Sequence, residues 1–143
     1  MYDRVVAYIT LDNRLLVFEH TEFPEAGIQV PAGRPEDDET LEEAVMREAL
    51  EETGLTNLRM VSSLGSQRID LTEIVGDIEN RHFFHLEHHG DAPEQWLHNE
   101  EHPSDGSPSP IEFSLYWVDL QDPPNLAWGH GDLLDKLIKI ETK

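Results

Sequence analysis

The 143-residue chain has no cysteine. Disulfides and thiolate metal centres are therefore excluded, and any metal must be held by oxygen or imidazole. Basic residues are scarce: ten Lys and Arg stand against thirty Asp and Glu, for a formal net charge of −20. All three lysines lie after position 135. A field of that sign opposes the phosphate backbones of DNA and RNA, so no nucleic-acid polymer is expected as a partner. A small nucleotide carried in with a divalent cation meets no such barrier. No apolar run reaches the roughly 18 residues that a membrane-spanning helix needs, so no membrane partner is expected. Met1 leads straight into a strand-like segment, without the basic and apolar regions of a secretion signal. The composition fits one cytoplasmic domain over residues 1–143, long enough to bury a core.

What the chain has in excess is glutamate, and much of it falls in one place. Gly33–Leu55 reads GRPEDDETLEEAVMREALEETGL. A helix is predicted over Glu39–Thr53, N-capped by Thr40 or by an Asp of the Asp37-Asp38 pair. At about 100° per residue, Glu52 lies about 40° from Glu48 on one side and Glu51 about 60° on the other, so the three share an arc of about 100°. Such a cluster repels itself unless a cation occupies it. Hard oxygen ligands on a rigid element suit Mg²⁺ or Mn²⁺. Leu41, Ala44 and Val45 form an apolar stripe that continues into the acids. The carboxylates thus face the body of the protein, where a merely solubilising helix would turn them outward.

The rest of the chain alternates strand-like and loop-like segments. Tyr2–Thr10, Leu15–Glu19, Ile28–Pro31, Leu58–Gln67, Arg81–Glu87 and Ile111–Leu120 read as strands, with Asp12-Asn13-Arg14 as the first turn. Arg68–Asp77 fits a bent strand or an edge. His89–Pro110 is rich in Pro, Gly, Ser and acids and is expected to be a long loop over the active face, with Trp96 its one tryptophan. Asp132–Glu141 is an amphipathic terminal helix. Strands around one acidic helix, with a second helix at the end, indicate an α/β sheet between helices. His82 and His85 should face opposite sides of their strand, and neither they nor His88 and His89 have zinc spacing.

The spacing of Gly33, Glu39, Arg47-Glu48, Glu51-Glu52, Gly54 and Leu55 resembles the box of the Nudix hydrolases. Three positions depart from it. Ala49 replaces a larger aliphatic residue, Asp38 stands where many members carry Gly, and Pro31-Ala32-Gly33 replaces Pro-Gly-Gly. The resemblance implies an α/β/α sandwich with a mixed β-sheet between helices. It implies a metal-dependent pyrophosphohydrolase, using Mg²⁺ or Mn²⁺, whose substrate is a nucleoside diphosphate linked to another moiety, of the nucleotide or nucleotide-sugar class. Residue by residue, Glu51 and Glu52 match metal ligands, and Glu48 matches a ligand or the general base. Gly33 matches the glycine whose carbonyl completes the metal shell. Arg47 and Glu39 match a pair that orients loop and helix around the catalytic acids. Some members add a carboxylate just ahead of a late strand. Glu112 holds such a position here, with Glu94, Glu100 and Glu101 as competitors. Arg34 and Arg81 are candidates for holding phosphate or ribose, and Trp96, alone in a polar segment, for touching the substrate. Phe84, Tyr116 and Trp117 read as core. Homodimers are common in the family. The rival reading is a catalytically inactive nucleotide-binding or regulatory module of the same fold, but such modules commonly lose the box acids, and all are present here.

Overall fold

The computed structural model describes residues 1–100 and 110–141. The described residues form strands β1 (Tyr2–Leu11), β2 (Arg14–His20), β3 (Ala32–Gly33), β4 (Leu58–Leu71), β5 (Asp77–His88), β6 (Gln95–Glu100) and β7 (Ile111–Asp119). The helices are α1 (Leu41–Thr53), the single turn α2 (Thr72–Val75) and α3 (Leu134–Glu141). The strands make one mixed sheet in the order β4-β5-β1-β2-β7-β6, with β3 added to β1. β1 and β5 run parallel, and the other pairings are antiparallel.

Both faces of this sheet are covered, and β1 shows it directly. Val5, Ala7 and Ile9 point to the α1 side, where they meet Leu16, Phe18, Val45 and Phe84. Val6 and Tyr8 point to the α3 side, against Leu15, Val17, Phe83 and Leu137. A strand buried on both sides reads as a continuous apolar run, which is why VVAYI lacks clean alternation. The result is the expected α/β/α sandwich.

β1 and β2 pair only beside their turn, through Thr10–Leu15 and Leu11–Arg14. Beyond that point they diverge, and the segment from Ile28 to Gly33 enters the gap. Gln29 exchanges both backbone hydrogen bonds with Phe18 of β2, at 2.9 Å each. Two residues later, the Ala7 amide of β1 donates to the Pro31 carbonyl at 2.8 Å, and Val5 and Val6 pair with Gly33 and Ala32. The strand expected over Ile28–Pro31 is thus an isolated bridge at Gln29 followed by β3 at Ala32–Gly33. The gap needs a segment that pairs on both sides in turn, so no regular run forms.

Other boundaries moved for local reasons. α1 starts at Leu41 because Thr40 closes a capping box with Glu43. Asp38 has φ 66°, the left-handed conformation that suits the glycine it replaces; Asp tolerates it better than most side chains. The ambiguous stretch after Gln67 continues β4 to Leu71, turns once as α2, and re-enters as β5. The long loop expected over His89–Pro110 contains β6, so Trp96 is a strand residue. Glu101 and His102, which fall in the same stretch, lie outside the described residues.

Replacing Thr40 with Ala removes the acceptor for the Glu43 amide at the start of the box helix. Unfolding free energy from urea titration should fall by about 1 kcal/mol, and Thr40→Ser should restore most of it.

Candidate active site

Three buried carboxylates converge beside the gap between β1 and β2. Glu48 and Glu52, one turn apart on α1, and Glu100, at the end of β6, each offer an oxygen within 4.8 Å of the others. Glu48 is 1 % exposed. A Cβ added at Gly33 would stand 2.1 Å from Cδ of Glu48, so this carboxylate packs directly on the glycine backbone of β3. Any side chain at position 33 would displace it. Glu52 accepts a hydrogen bond from the Ala32 amide at 2.8 Å. The backbone that enters the sheet gap therefore places both helix acids.

Burial and mutual repulsion make these acids reluctant to ionise. Loss of water pushes Glu48 up to about 7, against the pull of Arg47. Loss of water, with the charges of Glu48 and Glu100, raises Glu52 well above the ordinary carboxylate range. Oε2 of Glu48 is buried without a hydrogen-bond partner. A divalent cation that prefers oxygen ligands fits such a set. It would engage the stranded oxygen and favour the ionised form of each acid.

Arg47 is the hub on the outer side. Its Nε and one terminal nitrogen donate to both Glu39 oxygens at 2.7 and 3.0 Å. That second nitrogen also donates to the Arg34 carbonyl at 3.0 Å. The other terminal nitrogen donates to Glu48 at 2.9 Å and Glu51 at 3.2 Å. The guanidinium thus pins the loop before α1 to the helix while offsetting two of its acids, and it holds Glu39 below the usual carboxylate range. The arc read from the sequence is split: Glu48 and Glu52 point inward, whereas Glu51, with its side chain 37 % exposed, sits at the rim on Arg47.

The additional carboxylate expected at Glu112 is elsewhere. Glu112 accepts the Thr21 hydroxyl at 2.9 Å and does not join the inner acids. Glu100 lies with Glu48 and Glu52 instead, because β6 presents alternate residues to the end of α1. Trp96 donates its indole N–H to the Thr53 carbonyl at 2.9 Å, His98 Nε2 bonds the Glu51 carbonyl at 2.7 Å, and Glu100 follows on the same face. The first two satisfy carbonyls that the helix terminus leaves without intrahelical donors. This corrects the role expected for Trp96. It packs 6.3 Å from Trp117, with its N–H committed to α1, and does not line the cavity described next. The repeat Trp-x-His-x-Glu carries a period of two that could have revealed the strand.

A cavity of about 1220 Å³ opens from Glu52 and Glu100. Arg4, Arg34, Arg68 and Arg81, four of the ten bases in the chain, line it. Arg34 lies 3.9 Å from the ring centre of Tyr2. Arg81 is buried and has fixed partners: it pairs with Glu79 at 2.6 Å and donates to the Trp128 carbonyl. Its side chain is therefore part of the wall rather than a free anion clamp. Trp128, unremarked in the sequence, also lines the cavity. A second group of possible ligands, His85, Glu87 and Glu141, lies elsewhere; there His85 bonds Thr10 at 2.7 Å and Arg59 bonds Glu87 at 2.5 Å.

A search of curated proteins finds no match. Solved structures do match. The MutT NUDIX hydrolase from Burkholderia pseudomallei is 25% identical, with a TM-score of 0.62, covering 95% of this chain and 97% of that one. An Ap4A hydrolase from C. elegans is 16% identical, with a TM-score of 0.64, covering 99% and 98%. A UDP-X diphosphatase is 16% identical, with a TM-score of 0.66; 98% of this chain is covered, but it spans only 64% of that longer protein. A family model, that of the NUDIX domain, matches residues 1–137. With the box in register and its acids gathered beside β3, the chain belongs to the Nudix family, hydrolases of phosphoanhydride bonds.

Proposed function

We propose that this protein is a divalent-metal-dependent pyrophosphohydrolase that cleaves a nucleoside diphosphate linked to another moiety, with Glu48, Glu52 and Glu100 holding Mg²⁺ or Mn²⁺. The observation that carries the reading is the inner trio itself: three buried acids within 4.8 Å, one with a partnerless oxygen and two, Glu52 and Glu100, lining a cavity that four arginines share. The chemistry of the donors favours Mg²⁺ or Mn²⁺, since all are carboxylates. When bound, the ion supplies charge neutralisation at the phosphate oxygens and a more acidic water.

The remaining work falls to the chain. Glu52 is oriented by the Ala32 amide and cannot rotate away without stranding that donor. Burial pushes Glu48 up to about 7, so near neutral pH it holds a proton until a cation displaces it. Arg47 holds Glu48 and Glu51 together and keeps the helix face intact when no cation is bound. Glu51, at the rim, is placed to meet the solvent-facing side of the metal site. Arg4, Arg34 and Arg68 offer the cavity guanidinium groups that can pair with a diphosphate, within a chain whose overall field is strongly negative. Among the described residues no helix is long and apolar enough to cross a membrane, which suits a cytoplasmic enzyme acting on small nucleotides. The inactive-module alternative has no support in the site, because every box acid is in place.

Two tests follow. Glu52→Gln should lower Mg²⁺-dependent phosphate release from nucleoside diphosphate derivatives by more than the roughly 10- to 100-fold typical of losing an outer-sphere partner. Without metal it should be at least as thermally stable as the parent at neutral pH, because it removes a charge that resists burial. Normal turnover by this variant in saturating Mg²⁺ would contradict the assignment.

The second test uses pH. A carboxyl whose folded value is raised contributes stability that is complete below its unfolded value and lost as pH climbs through the folded one. For Glu48 that window runs from 4.5 to about 7, and Glu52 shifts in the same direction. His85 and His130 act oppositely below 6.5, because burial depresses both. Above that value the acids dominate. In EDTA, the melting temperature should therefore fall between about pH 6.5 and pH 8. Saturating Mg²⁺ should flatten the slope, and Glu48→Gln should reduce it.

A further inference from the structure

Trp128 is 68 % exposed, yet its backbone is held in an unusual conformation, with φ 61° and ψ 22°. For a bulky L-residue this left-handed geometry costs on the order of 1–2 kcal/mol. Solvent gives no reason to keep a large aromatic side chain in a strained, exposed position. Surrounding bonds hold it there. The Trp128 carbonyl accepts from Arg81, which is buried and paired with Glu79. Glu79 also accepts from the Tyr2 hydroxyl at 2.7 Å, and Tyr2 carries Arg34 on its ring. The next residue must be glycine: it has φ 75°, and a Cβ there would lie 2.9 Å from the Arg81 guanidinium. The His130 carbonyl accepts from the buried Tyr8 hydroxyl.

The same turn is fastened to the segment that positions the acids. The Ala127 amide donates to the Ile28 carbonyl at 2.7 Å, and the Val30 amide donates to Nδ1 of His130 at 3.2 Å. Two residues on, the Ala32 amide donates to Glu52. Residues 28, 30 and 32 thus link the tryptophan turn to the carboxylate trio through consecutive bonds. Trp128 lines the same large cavity as Glu52 and Glu100, together with the arginines and with Ile74 and Val75 of α2, which are 79 % and 56 % exposed.

We infer that Trp128 is the stacking platform for the nucleobase of the substrate, with Ile74 and Val75 adding apolar contact within the same cavity. The inference rests on the diphosphate reading above and deepens it by placing the base end of the substrate. An exposed aromatic side chain on a fixed backbone, lining the same cavity as the arginines, matches a ligand with a planar ring joined to phosphate. Stacking accepts any base, so this site selects nucleotides over base-free phosphates without choosing strongly among bases.

The test separates this inference from the hydrolysis it builds on. Metal-free protein in EDTA is titrated with AMP, UMP and, as a base-free control, ribose 5-phosphate, and tryptophan fluorescence is followed. AMP and UMP should quench the parent emission and ribose 5-phosphate should not. In Trp128→Leu the quench should vanish, although Trp96 and Trp117 remain. With Mg²⁺ and a nucleoside diphosphate sugar, Trp128→Ala should raise KM by about 5- to 100-fold, and Trp128→Phe should recover most of the loss. Quenching that persists in Trp128→Leu, or an unchanged KM in Trp128→Ala, would overturn the inference while leaving the hydrolysis reading intact. Quenching as expected without Mg²⁺-dependent turnover would sink the hydrolysis reading and keep the base site.

Discussion

β1 and β2 share a turn but separate after two residue pairs, and the segment Ile28–Gly33 fills the space between them with bonds to both sides. A chain cannot leave a sheet gap of this kind open, because buried amides and carbonyls would go unsatisfied. Filling it brings a glycine backbone under Glu48, an amide to Glu52, and a carbonyl and an amide to the turn that carries Trp128. One stretch of irregular backbone therefore sets the relative positions of the acids and the aromatic wall. The helix supplies the chemistry, and the gap supplies its coordinates.

The electrostatics of the site only make sense against the rest of the chain. A protein with a net charge of −20 would ordinarily repel a diphosphate. Four arginines along one cavity set positive groups among the acids that share its lining, Glu52, Asp70, Glu79, Glu100 and Asp132, and the buried pairing of Arg81 with Glu79 fixes one of them in the wall. Within the helix, Arg47 does a comparable job over a shorter range. It touches Glu39, Glu48 and Glu51, so its charge offsets theirs and the acids stay close together. Burial then makes them bind protons or metal in preference to standing bare.

The sequence revealed most where the local pattern was strong. The box helix, its inward acids and its Thr40 cap were readable because apolar period, capping residue and acid spacing all agree over a short window. The strands of the sheet were readable from apolar runs. The partner acid and the aromatic platform were not, because both depend on contacts between distant segments. Glu100 belongs to a strand hidden in a polar, proline-rich stretch whose composition reads as a loop, whereas Glu112, the second residue of β7, lies in a segment that reads plainly as a strand. Trp96 and Trp128 each sit in a short stretch whose local pattern assigns them no role. Only the hydrogen bond to Thr53 shows the first to be a clasp on the helix end, and only the backbone angle of the second shows it to be presented outward. Arg4 lies near the start of the central strand β1, where nothing local hints at a shared cavity.

β6 delivers one acid and two helix clasps from alternate positions of a single short strand. Because its side chains alternate, insertion or deletion of one residue between Trp96 and Glu100 would turn the acid to the opposite face while leaving every chemical group in the chain. Substitution at Gln95, Leu97 or Asn99, which point away, carries no such consequence. Descendants of this chain should therefore drift freely in composition at those three outward sites yet keep the length of the strand fixed.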